Sequence, residues 1–159
     1  MNEILKLLEK DSRLTAQQIA AMLDMDIAAV EAAIAKAEAD GVILRYMSLI
    51  DWDKTQKESV TALIEVKIAP QRGEGFDRIA ERIYQFEEVD SLYLMSGAFD
   101  LAVYITGKSM KEVAQFVYAR LAPIDGVTAT ATHFILKKYK DKGCVFNVPP
   151  EQEERMLFV

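Results

Sequence analysis

The apolar positions of the chain change period near residue 50. Before it they recur three or four residues apart, as on helix faces; after Val60 strand and helix periods alternate. Ile4, Leu5 and Leu8 predict a first helix. A second opens at Thr15, which has capping-box spacing to Gln18, and Leu14 is placed to staple onto Ile19. Ile19, Met22 and Leu23 form its expected buried side. Asp24-Met25-Asp26 reads as a short turn, with Asp26 suited to cap a third helix. Ile27, Val30, Ile34 and Ala37 keep helical spacing, and Gly41 is suited to the left-handed stop. Val42 to Ile50 shifts toward strand character and is expected to form a small wing. This outline is a winged helix-turn-helix.

The polar stretch DWDKTQKE, residues 51–58, breaks the pattern and reads as a linker. Ala62, Ile64, Val66 and Ile68 then alternate as a half-buried strand, and PQRGEG is a loop. Phe76, Ile79, Ala80, Ile83 and Phe86 line one helical face. Strands are expected at 89–96 and 99–106, joined by a short turn around Gly97; read as a plain hairpin turn, it has the glycine supply a positive φ. Ser109 and Glu112 have capping-box spacing ahead of a helix with Val113, Phe116, Val117 and Leu121 on its apolar stripe. Pro123 and Gly126 end that segment, and residues 127–138 read as a last strand. The order strand-helix-strand-strand-helix-strand is the ferredoxin-like split pattern, an antiparallel sheet with both helices on one face. The fold class is therefore α+β. Residues 1–50 form the helix-turn-helix domain, 51–58 the linker, 59–143 a ferredoxin-like βαββαβ (ACT-like) domain, and 144–159 a tail. Apolar residues on the open sheet face predict a homodimer through it.

Charge changes the picture. The formal net charge is −6, and residues 1–50 carry five Lys and Arg against eight Asp and Glu. Bulk electrostatics therefore do not draw this chain to a polyanion. Cys144 and His133 are the only residues of their kinds, too few for an internal disulfide or a nitrogen-sulfur zinc site. No apolar run approaches the roughly 20 residues of a membrane span, so a soluble cytoplasmic protein without membrane contact is expected. No phosphate-binding glycine loop, nucleophile elbow or spaced carboxylate pair marks a catalytic site, and no cofactor or metal is expected.

The arrangement resembles the Lrp/AsnC, or feast/famine, transcriptional regulators over roughly residues 1–143. The stretches that carry the resemblance are LTAQQIAAML, DGVILRY, SGAFDLAVYITG and IDGVTATATHFILKKYKDKG. It implies a regulator that binds double-stranded DNA through the first domain and a small effector, an amino acid or related metabolite, through the second. It also implies dimers, and rings of four dimers. The recognition helix would run from about Ile27 to Ala39, and its outer face, Ala28, Ala29, Glu31, Ala32, Ala35 and Lys36, departs from the Ser, Arg and Lys of typical members. Lys36 and Arg45 are the expected phosphate contacts, with Arg13 and Gln17 beside them and Ala28 and Ala32 against thymine methyls. Gly97, Ala98, Phe99 and Asp100 match the family's effector turn, and Gly126, Val127, Thr130 and Thr132 match its G-V-x-x-T-x-T strand. Asp100 suits an amino group or a turn cap. Phe99 suggests a ligand less polar than a typical amino acid. Lys137, Lys138, Lys140 and Lys142 form the densest basic cluster, either a solvated strand end or a guide for DNA. Two other readings stand beside this one. One is a ligand-sensing oligomer that has lost DNA binding. The other is an enzyme like the sirohaem decarboxylases, against which a single His and scattered Arg argue.

Overall fold

Three helices, α1 (Asn2–Lys10), α2 (Ala16–Leu23) and α3 (Ile27–Ala39), open the chain in a computed structural model that describes residues 1–69 and 75–146, and side-chain caps start the second and third. At α2 the Thr15 hydroxyl accepts from Gln18 N at 3.3 Å and the Gln18 side chain accepts from Thr15 N at 2.9 Å. Both halves of the capping box are thus closed. The Asp26 carboxylate accepts from Ala29 N and starts α3. Gly41, at φ +68°, ends α3; its N–H reaches Glu38 O and the Val42 N–H reaches Ala37 O, the paired bonds of a Schellman stop.

These helices close on Ile4, Leu8, Ile19, Ala20 and Val30, with Leu7, Leu14 and Leu23 packed around them. Met22 was expected in this core and is 59% exposed. The inward side of α2 centres on Ala16, Ile19, Ala20 and Leu23, and Met22 falls about a third of a turn away. Two of the residues that define that side are alanines, which give hydrophobic periodicity little weight. Val42–Ile50 also departs from expectation: no strand forms there. The first unit, Met1–Ile50, offers no second strand to pair with its N–H and C=O groups. The segment is fixed instead by Ile43 in the core and by Tyr46 Oη donating to Glu38 Oε1 at 2.8 Å. That carboxylate and partial burial raise the Tyr46 phenol above its usual pKa.

The second unit begins at Asp51 with a 3₁₀ turn, Trp52–Lys54. It continues as β1 (Val60–Ile68), α4 (Gly75–Tyr84), β2 (Val89–Leu94), β3 (Leu101–Gly107), α5 (Met110–Phe116, running into a π-helical turn, Val117–Leu121) and β4 (Val127–Phe134). The expected PQRGEG loop lies outside the described residues except for Gly75. The sheet is antiparallel throughout, in the order β2-β3-β1-β4. Ala62, Ile64, Val66, Leu101, Val103 and Ile105 pack under the helices with Ile79, Ile83, Val113, Phe116 and Leu121. The alternation read from the sequence therefore assigns the correct face. Ser109 caps α5 through Glu112 N, and the Glu112 carboxylate accepts from Lys108 N, one residue before the cap.

Two irregularities interrupt the expected pattern of the second unit. A bulge between Lys67 and Ile68 leaves Thr128 without a register partner, and its hydroxyl donates to Lys67 O at 3.1 Å. Thr128 thus falls out of the two-residue alternation that Thr130 and Thr132 keep. β4 stops at Phe134, short of the expected residue 138, and beyond it a hairpin of β5 (Lys140–Asp141) and β6 (Cys144–Val145) straddles the expected start of the tail. Lys142 and Gly143 connect them at φ +46° and +83°, the two left-handed residues of a type I′ turn. The expected boundary at residue 143 falls inside this hairpin.

Candidate nucleic-acid interface and effector site

The outer side of α3 is as bare as its sequence implies. Ala28, Ala29, Glu31, Ala32, Ala35 and Lys36 are all exposed, while Val30 and Ala37 turn inward. Gln17 is exposed on α2. Two of the three expected phosphate-binding cations are already engaged. Lys36 Nζ lies 2.8 Å from Asp40 Oδ2, one helical turn on. Arg13 grips Asp11 with Nε at 3.0 Å and a second guanidinium nitrogen at 3.1 Å. Hydrogen bonding to Arg13, aided by charge, holds the Asp11 carboxyl below its usual pKa and raises that of Arg13. Arg45 Nε contacts Met47 Sδ at 3.0 Å, and among the described residues it has no carboxylate partner. Solvent-exposed pairs of this kind are weak and screened by salt, so a phosphate competes readily for either cation. Asp40→Asn should therefore raise DNA affinity roughly two- to fivefold at low salt, the range that exposed-pair energies allow. Fluorescence anisotropy on a labelled duplex reads this directly, and unchanged affinity would remove Lys36 from the contact set.

The expected effector residues divide. Ser96, Gly97 and Ala98 are exposed bends between β2 and β3, and Phe99 and Asp100 are half-buried. Gly97 does not adopt a positive φ, and a Cβ there would meet open space. It is therefore not required by the turn geometry assumed for it. Asp100 is built into the sheet. Its Oδ2 accepts from Ile68 N at 2.7 Å, its N donates to Val66 O at 3.0 Å, and its O accepts from Met95 N at 2.8 Å. β3 runs out at Leu101, and the Asp100 carboxylate serves as the next acceptor of the ladder. Thr130 and Thr132 pair with Val66 and Ile64, on the helix-covered side of β4. Asp100 and Thr130 thus flank Val66 from opposite sides, about two strand spacings apart.

Sequence reasoning missed a cavity of about 400 Å³ between α4 and β2. Phe76, Tyr84, Leu92, Leu94 and Leu101 give it apolar walls, and Asp77 brings a carboxylate. Leu94 and Leu101 are cross-strand partners at the root of the 95–100 turn, so the cavity abuts the turn from the helix side. No sequence signal marks it, because its lining comes from elements that read simply as core helix and strand. His133 projects to the open sheet face, 3.3 Å from Glu65 Oε1. Tyr93 and Tyr104 stack edge-on at 6.1 Å on the same face. Among the described residues no cluster of three or more His, Cys, Asp or Glu is arranged to hold a metal ion. No helix among them is long and apolar enough to cross a membrane.

A helix-turn-helix unit joined to a ferredoxin-like sensor domain defines the class of DNA-binding, ligand-responsive transcriptional regulators. The Lrp/AsnC ligand binding domain matches residues 61–145 and a winged helix-turn-helix DNA-binding domain matches residues 2–43. The chain belongs to the Lrp/AsnC family. It is 51% identical to the HTH-type transcriptional regulator YugG of Bacillus subtilis, over 91% of this chain and 87% of that one. Its fold matches an AsnC family regulator from Agrobacterium tumefaciens with a TM-score of 0.71 at 25% identity, covering 94% and 95% of the two chains. It also matches a transcriptional regulator from Neisseria meningitidis, solved in complex with L-Met, with a TM-score of 0.71 at 21% identity over 92% of each.

Proposed function

We propose that this cytoplasmic regulator binds duplex DNA through α3 and the segment that follows it, and responds to an amino acid or a related metabolite. Arg45, Lys36 and Arg13 meet phosphates, with Gln17 beside them. Ala28 and Ala32 allow close approach to thymine methyls in the major groove. One observation carries the DNA reading: α2 and α3 are capped helices joined by a short turn, and the outer side of α3 exposes only the small or charged residues Ala28, Ala29, Glu31, Ala32, Ala35 and Lys36. The effector binds beside the Gly97–Asp100 turn, with Ala98 and Phe99 over it and Thr130 and Thr132 at the far side of β1. The adjoining cavity lies within the size range of small-ligand sites, and Asp77 suits an amino group there. Asp100 takes a structural part, since its carboxylate already holds Ile68 N. Dimers form through the open sheet face, and four dimers can close a ring. Avidity across such an assembly multiplies weak single contacts by roughly 10²–10⁴. We ascribe no catalytic step to the chain.

The test is titration of full-length protein onto DNA from its own upstream region, with scrambled competitor, at two salt concentrations. Binding should survive competitor and weaken with salt. Arg45→Ala should weaken binding on every sequence and flatten the salt dependence by about one phosphate per protomer bound. Absence of binding at low salt, by protein shown to be oligomeric, would sink the proposal. It would favour the second reading, a sensor without DNA affinity, which the net charge of the first 50 residues motivates.

A further inference from the structure

The four lysines in and beside the terminal hairpin differ in one respect from Arg13 and Lys36, two of the three candidate DNA contacts of the first unit. Among the described residues none of Lys137, Lys138, Lys140 and Lys142 lies within ion-pair distance of a carboxylate. Arg13 and Lys36 each have an acidic partner. Asp141 is the only acidic residue between 137 and 145, so this short ribbon is net positive in a chain of net charge −6. Lys137, Lys140 and Lys142 are exposed, and Lys138 is half-buried. Tyr139 stands 71% exposed among them, with Lys137 Nζ 5.0 Å from its ring centroid.

The ribbon is ordered by its own backbone. Lys140 pairs with Val145, Asp141 pairs with Cys144, and Phe146 N donates to Tyr139 O at 2.9 Å. A type I′ turn favours Asn-Gly, yet its first position here is Lys142, which brings a fourth cation to the tip. A hydrogen-bonded ribbon loses less freedom on docking than an unstructured basic segment would.

We infer that residues 137–145 are a second DNA-contact surface, one that grips the phosphate backbone and reads no bases. The inference rests on the DNA-binding reading above. Duplex DNA presents one negative charge per roughly 1.7 Å of axis, and exposed ammonium groups are suited to it. The Tyr139 hydroxyl adds a neutral donor of the kind that contacts phosphate. The ribbon holds no Arg, Asn or Gln, the planar side chains that fit two groups of a base edge at once, and a lysine ammonium meets phosphate as a point charge. Its contribution is therefore independent of sequence.

The experiment compares full-length wild type with a variant carrying Lys137→Gln, Lys138→Gln, Lys140→Thr and Lys142→Asn. Asn at 142 restores the preferred residue of the turn, so the hairpin is kept while its charge is removed. Matching melting curves and sedimentation of the two proteins establish that the variant is folded and assembled. The expected result is binding weaker by roughly 10- to 100-fold at moderate salt, with equal loss on cognate and scrambled duplex. The slope of log affinity against log salt should flatten by about one per lysine that meets a phosphate. Unchanged affinity and slope, with Arg45→Ala still weakening binding, would overturn this inference and leave the DNA-binding reading standing. Wild type that binds no DNA at low salt would overturn both. A loss seen on single-stranded RNA but not on duplex would assign the surface to another polyanion, and would equally overturn the inference.

Discussion

Gly126→Ala should cost the sensor unit about 2–4 kcal/mol and lower its melting midpoint by roughly 10–25 °C. Two effects combine. Gly126 sits at φ +93°, where an L side chain is strained. A Cβ would also lie 2.6 Å from Ile79 Cδ1. Ile79 belongs to the core and is only 5% exposed, so its end cannot swing away without disturbing packed neighbours. Gly126 also joins β1 to the start of β4, because its carbonyl accepts from Ala69 N at 2.9 Å. Ile79→Val removes the clashing atom. Added to Gly126→Ala it should recover the steric part of the loss and leave the backbone part. A thermal melt of Gly126→Ala within a degree or two of wild type would refute this account of α4 against the β4 entry.

Asp100→Ala should cost about 1–3 kcal/mol, the penalty for a buried backbone N–H left without its acceptor. Ile68 is 9% exposed, and the Asp100 carboxylate is the group that receives its N–H. Asp100→Asn keeps an amide oxygen in place and should retain most of the stability. The pair of variants separates a structural aspartate from an effector ligand. A structural role predicts a stability loss on Asp100→Ala of equal size with and without effector. If Asp100→Ala melts like wild type and abolishes only the effector-induced shift in melting, the carboxylate is a ligand contact after all.

Much of this architecture is legible in the sequence because it rests on local rules. Thr15 with Gln18, Asp26 with Ala29 and Gly41 after Asp40 each fix a helix end through partners a few residues away. The alternation Ala62, Ile64, Val66, Ile68 assigns the buried face of β1 because strand side chains have a period of two. What stayed hidden depends on partners distant in sequence. The Asp100 bond spans 32 residues to Ile68. The bulge that turns Thr128 aside belongs to a pairing with β1, some sixty residues earlier. Met22 was misassigned because the side of α2 that packs is set by Ala16 and Ala20, whose small side chains register weakly in any periodicity. The expected wing strand lacks a neighbour within its own unit, and nothing in the run Val42–Ile50 could reveal that. The cavity beside α4 exists only once helix and sheet are assembled.

The alanines along the outside of α3 also bear on how this regulator can change over generations. No single base substitution converts an alanine codon into one for lysine or arginine. One step leads instead to Ser, Thr, Gly, Val, Pro, Asp or Glu. Ala28, Ala29, Ala32 and Ala35 therefore stand one step from a hydroxyl that reads bases, and one step from a carboxylate that repels the duplex. A cationic grip at any of these positions is farther off. With α3 as the reading helix proposed above, drift along it retunes or erodes recognition far more readily than it strengthens the hold on DNA, and new affinity is more accessible by mutation elsewhere on the chain.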